Sequence, residues 1–314
     1  MPANLTPQYM EAEEAYKRAV TPEEKLAALE EMLRTIPKHK GTDKMQADIK
    51  RRIARMREAG EAARKKGKAD PYRVEREGAG QVFMVGPPNS GKSALVGGLT
   101  NAKVVVAPYP FATTQPVPGM MKYDDILIQL VDTPPISVDN CPPALVASVR
   151  SGDAVIMVVD ASIDSCLDDV QDLSDLLQER KVINQGKPHI VALTKIDLPG
   201  AADNAEIVLE AYPDIRFVKV SAESGEGVGE LPRIIFDMLD IIRLYSKPPG
   251  RDVDRAAPFV LRRGGTVADL AGAIHRDLPR TMKSARVWGS ARFDGQPVPR
   301  EYVLSDGDIV EFRT

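Results

Sequence analysis

Gly86-Pro-Pro-Asn-Ser-Gly91-Lys92-Ser93 decides the reading of this chain. The stretch satisfies the pattern G-x-x-x-x-G-K-[ST], and its flanks are the ones that pattern requires. The apolar run Gln81-Val-Phe-Met-Val85 reads as a strand before it, and Ala94 to Leu99 reads as a helix after it. Gly86 and Gly91 let the backbone curl until several N–H groups point inward at a polyphosphate. Lys92 is spaced to reach the β and γ phosphates, and Ser93 to offer its hydroxyl to Mg²⁺. The start of the following helix adds attraction for an anion.

Outward from this loop, short apolar runs alternate with helical stretches. Ile126-Leu-Ile-Gln-Leu-Val131, Ala154-Val-Ile-Met-Val-Val159, His189-Ile-Val-Ala-Leu193 and Phe217-Val-Lys-Val220 read as buried strands, with helices such as Cys166 to Arg180 between them. That alternation predicts an α/β domain with a mostly parallel sheet covered by helices. Ala201 to Tyr212 and Leu231 to Leu244 complete the helical layer, and Lys247-Pro-Pro-Gly250 reads as a linker. Two further loops follow strand ends, where ligands bind in such sheets: Thr194-Lys195-Ile-Asp197 and Ser221-Ala222-Glu223-Ser-Gly225-Glu-Gly227. A carboxylate at Asp197 accepts hydrogen bonds from the N1–H and the exocyclic amine of guanine, a pair that adenine does not offer. Leaving it unpaired costs about 1–3 kcal/mol.

The flanks differ from this centre. Residues 9 to 36 read as helix, with Ala19, Leu26, Leu29, Leu33 and Ile36 at helical spacing. Thr21-Pro-Glu-Glu is a start signal that breaks or restarts the helix, and Pro37 is its end. A second helix from Thr42 to Ala63, with Met45, Ile49, Ile53 and Met56 on one face, suggests an antiparallel helical hairpin. From Arg34 to Lys68 there are 13 Lys and Arg against 4 Asp and Glu. That excess reads either as a solvated face or as a surface for RNA and other phosphate-rich partners. Residues 67–80 read as a linker or first strand. After the second linker come strand Ala257 to Leu261, helix Thr266 to Asp277 capped by Thr266, strand Ala285 to Trp288, turn Ser305-Asp-Gly-Asp308 and strand Ile309 to Phe312. Together they read as a β-grasp-like module. The expected divisions are residues 1–68, 69–249 and 250–314.

Composition excludes several classes. In 314 residues with a net charge of −3, no apolar run approaches the roughly 18–20 residues of a membrane span. The N-terminus lacks the basic start and apolar middle of a signal peptide, so a cytoplasmic location is expected. Cys141 and Cys166 supply neither a disulfide framework nor a zinc site of usual spacing, and read as reduced thiols. The overall charge conceals segregation: residues 1–68 carry +5, 69–249 carry −10 and 250–314 carry +2.

At this point the chain resembles the Obg-related branch of translation-factor GTPases, and within it the DRG (developmentally regulated GTP-binding) family. Tyr109-Pro-Phe-Ala-Thr-Thr-Gln-Pro-Val-Pro-Gly119 is similar to that branch's first switch, and Val131-Asp132-Thr-Pro-Pro135 stands where its second switch begins. Ala285-Arg-Val-Trp-Gly289 and Leu304-Ser-Asp-Gly-Asp-Ile-Val310 resemble its C-terminal TGS domain. The resemblance implies a P-loop GTPase domain between an N-terminal helical hairpin and a TGS domain. The GTP and GDP contacts it implies are Gly86, Asn89, Ser90, Gly91, Lys92, Ser93, Ala94, Thr194, Lys195, Asp197, Ser221, Ala222 and Glu223. Lys92, Thr113 and Asp132 would serve hydrolysis, with Ser93, Thr113 and, through a water, Asp132 around Mg²⁺, and Asn89 helping to bind K⁺. A ribosomal or RNA partner, reached through the basic helices and the TGS domain, is expected, and neither DNA nor membrane.

The chain also departs from the family. The second switch ordinarily reads D-x-x-G, and its glycine N–H meets the γ phosphate. Pro135 occupies that position, with no N–H and φ held near −65°. Slow hydrolysis is therefore expected; the alternative is a guanine-nucleotide-binding interaction module with little or no turnover. Ile136 stands where other GTPases orient water with glutamine, Thr194 replaces the more frequent asparagine, Ala94 replaces a hydroxyl residue, and the family's insertion before the base-recognition motif is missing.

Overall fold

The computed structural model describes residues 6–18, 22–37, 42–67, 71–100, 114–138, 140–183, 186–255 and 257–313. It divides into two compact units, Met1–Asp70 and Pro71–Thr314.

The first unit holds three helices, α1 (Pro7–Arg18), α2 (Pro22–Thr35) and α3 (Asp43–Gly67), where the sequence suggested a pair. The Pro22 restart is a complete break, as the start signal permits. Tyr9, Ala12, Leu29, Met32, Ile36, Ile49 and Ile53 make one small core. The Thr6 hydroxyl begins α1 by accepting from the Tyr9 N–H at 3.2 Å. It also donates to the Thr35 carbonyl at 3.0 Å, tying the start of α1 to the end of α2. Lys50, Arg51, Arg52 and Arg55 are all exposed on α3.

In the second unit the chain first builds β1 (Gln81–Val85), α4 (Lys92–Leu99), β2 (Val117–Tyr123), β3 (Ile126–Asp132), α5 (Pro143–Ser151), β4 (Ala154–Asp160), α6 (Cys166–Glu179), β5 (His189–Thr194), α7 (Ala201–Ala211), β6 (Phe217–Lys219) and α8 (Leu231–Leu239). The sheet order is β2-β3-β1-β4-β5-β6, antiparallel only between β2 and β3. Alternation along the buried strands serves two cores. Phe83, Val85, Val155 and Met157 face Leu145, Leu173 and Leu177 on one side. Val82, Met84, Ile156 and Val158 face Leu95, Leu231 and Ile235 on the other. The C-terminal ends of β1, β3, β4 and β5 thereby come together with the loops that follow them.

A second sheet comprises β7 (Ile241–Ser246), β8 (Phe259–Arg262), β9 (Ser284–Trp288), β10 (Gln296–Val298) and β11 (Ile309–Arg313), in the order β10-β9-β11-β7-β8. It is covered by α9 (Val267–Ile274) and the short α10 (Leu278–Thr281). The expected cap is a capping box: the Thr266 hydroxyl accepts from the Asp269 N–H, and the Asp269 carboxylate accepts from the Thr266 N–H.

Strand β8 starts two residues later than expected and α9 ends at Ile274 rather than Asp277; the larger difference is at the end of α8. The expected helix Leu231–Leu244 ends at Leu239; Asp240 turns left-handed at φ 51° and the chain becomes β7. Strand β7 lies between β11 and β8, so a division at residue 249 cuts through the C-terminal sheet. The Pro-rich stretch from Lys247 connects β7 to β8 within that sheet.

Candidate nucleotide site

The loop of residues 86–93 is positioned from below by β1 and from the side by β4 and β5. At Gly86 a Cβ would stand 2.1 Å from the Val158 carbonyl oxygen, so no side chain fits there. Gly91 holds φ 89°, the left-handed region that glycine enters without strain. Asn89 is left-handed too, at φ 59°, and exposed.

Lys92 is folded back onto the loop. Its ammonium donates to the carbonyls of Gly86 at 3.1 Å and Pro87 at 2.7 Å and to the Ser90 hydroxyl at 3.3 Å. The side chain is buried, and that burial pushes its pKa down to about 8, against the opposing pull of the Asp132 charge. An anion arriving at the loop restores the environment a protonated amine needs. Ser93, the next residue, donates its hydroxyl to Asp132 Oδ2 at 2.7 Å. Asp132 ends β3 with no solvent exposure. A hydroxyl and a carboxylate oxygen side by side fit a hard cation such as Mg²⁺. Thr113, the third expected ligand, lies outside the described residues.

The second switch is tightly held. Thr133 donates to the Met84 carbonyl at 2.8 Å, and the Ile136 N–H donates to the Gly86 carbonyl at 3.0 Å. Pro134, Pro135 and Ile136 are all buried, and Asn140 Nδ2 donates to the Pro135 carbonyl at 3.2 Å. Two prolines without N–H are thus followed by a residue whose N–H is already bonded.

The Thr194 hydroxyl bonds the Ser90 carbonyl at 2.7 Å and the Val159 carbonyl at 3.1 Å, stitching β5 to the phosphate loop. Lys195 adopts φ 56°, and its ammonium lies 2.5 Å from Asp160 Oδ2. Asp197 is exposed just beyond. Ile196 N–H reaches the Val220 carbonyl at 3.4 Å, joining this loop to the next. There Ser221, fully buried, accepts from the N–H groups of Glu223 at 3.2 Å and Ser224 at 3.0 Å. Ala222 and Glu223 are exposed on that turn, and Ala94 is half-buried on α4. Asp160 was not among the expected site residues. Its signal was its position, a carboxylate ending β4 as Asp132 ends β3.

Residues 81–195 match the family model described as 50S ribosome-binding GTPase, and residues 242–314 match the TGS domain. The fold and the site therefore define a P-loop GTPase domain followed by a TGS domain. An uncharacterized GTP-binding protein of Methanocaldococcus jannaschii is 29% identical over 360 aligned residues, covering 92% of each chain. Developmentally-regulated G-protein 1 of Arabidopsis thaliana is 28% identical, covering 90% of this chain and 88% of its own length. Developmentally-regulated GTP-binding protein 1 of Xenopus laevis is 25% identical, covering 91% and 97%. Among solved structures, the G domain of the Thermotoga maritima FeoB iron transporter is 27% identical, with a TM-score of 0.39 over 50% of this chain and 97% of its own. Its relatives, at 25–29% identity over most of the chain, include GTP-binding proteins of the DRG family. The alignment with the M. jannaschii relative has more positions than this chain has residues, so that relative carries segments absent here. No helix of the described residues is long and apolar enough to cross a membrane.

Proposed function

We propose that this chain is a slow, Mg²⁺-dependent GTP switch acting in the cytoplasm on a ribosomal or RNA partner. The observation that carries the slow rate is the second switch: positions 134 and 135 have no N–H, and the N–H of Ile136 is engaged by Gly86. No donor at these three positions is free to meet a γ phosphate, so one source of transition-state stabilisation is missing. Lys92 leaves its loop carbonyls for the β and γ phosphates, and Asp197 selects guanine. Ser221 braces the turn beside the base. Ser93, Thr113 and a water on Asp132 would hold Mg²⁺, which supplies charge neutralisation between the β and γ phosphates. Asn89, exposed on the loop's crest, would help bind a monovalent cation such as K⁺. The exposed Lys50, Arg51, Arg52 and Arg55 on α3 offer one surface to RNA, and the TGS domain, taken by itself, offers another.

The same prolines favour one second reading, a nucleotide-binding module without turnover. Single-turnover hydrolysis with Mg²⁺ and K⁺, measured beside the GTP and GDP dissociation constants, separates the two. Slow turnover that rises about tenfold or more in Pro135→Gly supports the switch. Binding without phosphate release supports the module. A wild-type rate typical of an activated GTPase, or no change in Pro135→Gly, overturns the role given to Pro135.

A further inference from the structure

We infer that Arg243 latches the TGS sheet onto the tip of the β2–β3 hairpin, and that this latch couples the TGS domain to GTP binding. The inference rests on the guanine-nucleotide reading above and specifies how the site is regulated.

The hairpin pairs without interruption from Val117 opposite Asp132 to Tyr123 opposite Ile126. Its open end carries Asp132, and Thr113 precedes β2 by four positions in the sequence. Its closed end is the turn at Asp124, left-handed at φ 48°, and Asp125. Strand β2 is an edge strand, paired only with β3, so its placement depends on that ladder, on the packing of Met121 into the core beneath it, and on whatever holds the tip.

Arg243, on β7 of the other sheet, holds it. One guanidinium nitrogen lies 2.8 Å from Asp124 and 3.2 Å from Asp125. The opposite edge forks onto Asp306 at 3.1 Å and 2.8 Å, and the Arg243 N–H donates to Asp306 Oδ1 at 2.6 Å. Beneath the guanidinium lie the stacked rings of Tyr123 from β2 and Phe236 from α8, their centroids 4.8 Å apart. The Tyr245 hydroxyl donates to Asp125 beside them. Only 16% of the Arg243 side chain is exposed, so the contact is a docked cation rather than a loose surface pair.

A strand fixed at its tip has less freedom left to lose when its open end closes around a γ phosphate and Mg²⁺. Releasing the tip raises that ordering cost for the triphosphate state, while the diphosphate state, which does not close the end, is spared. By linkage, GTP then strengthens the TGS contact by the same factor.

The test is titration of GDP and of a non-hydrolysable GTP analogue into the full chain, as wild type, Arg243→Ala and Arg243→Lys, with thermal unfolding to confirm folding. The expected result is at least about a fivefold loss of analogue affinity in Arg243→Ala, with GDP affinity within about twofold. Arg243→Lys, a point charge without the fork, falls between. If Arg243→Ala does not fold, the pair Asp124→Asn and Asp125→Asn carries the same expectation. Equal loss of both affinities, or no loss of either, overturns the coupling. A wild-type chain that binds neither nucleotide overturns the guanine reading itself.

Discussion

The two ends of the β2–β3 hairpin handle charge in opposite ways. At the open end Asp132 is wholly buried, its oxygen taken by Ser93 and its field felt by a folded-back Lys92. At the tip Asp124 and Asp125 face solvent for 62% and 28% of their side chains and share one arginine. Removing a buried charge's partner costs several kcal/mol, whereas an exposed ion pair is worth about 0–1 kcal/mol. The difference teaches where energy is held for a ligand and where it sets geometry. A site that must bind phosphate keeps its charges out of water, while a joint that sets geometry leaves its carboxylates nearer to it.

The largest expected effect breaks the buried end. Lys92→Ala removes the one cation on the loop and lowers GTP affinity by more than about 100-fold, read by equilibrium titration. Asp197→Asn sharpens the contrast, because there the carboxylate proposed to select guanine is exposed. An amide presents a donor where guanine also donates, so preference shifts toward xanthine nucleotides by about 10- to 100-fold in a competition assay. Unchanged preference for GTP would show that the base is read elsewhere. At the tip, Asp306→Asn lowers stability by about 1 kcal/mol at low salt and by less at 0.5 M, read from denaturant midpoints. Acid acts on the same pair. Partial burial pushes the Asp306 carboxyl up, but the hydrogen bonds and charge of Arg243 outweigh it and hold the pKa below its ordinary 3.8. Because the folded value is the lower one, the stabilisation is present above about pH 4 and is lost as pH falls through the folded value. Asp306→Asn should flatten that acid limb.

Much of this was legible in the sequence where one residue type has one physical use. The phosphate loop, the β1, β3, β4 and β5 runs and the Thr266 cap needed only apolar periodicity and known loop chemistry. Strand β7 was not legible. Ile234, Ile235, Met238 and Ile242 continue a helical spacing straight through it, and the break is made by Asp240 in a left-handed conformation that an aspartate does not advertise. Strand β2 was hidden by Pro118 and Gly119, which read as loop but are tolerated on a sheet edge. At the site, the pin from Ile136 to Gly86 joins residues fifty positions apart by a backbone bond, and no side-chain pattern records it.

The passage through Asp240 also limits how the molecule can be cut. A protease acting between Lys247 and Gly250, where two prolines suggest a natural seam, would leave β7 with the first sheet's fragment. The released piece would keep β8 without its neighbour and β11 with one open edge, an invitation to pair with other chains. The second sheet, cut out as one body, therefore starts at Ile241, two residues after the last residue of α8.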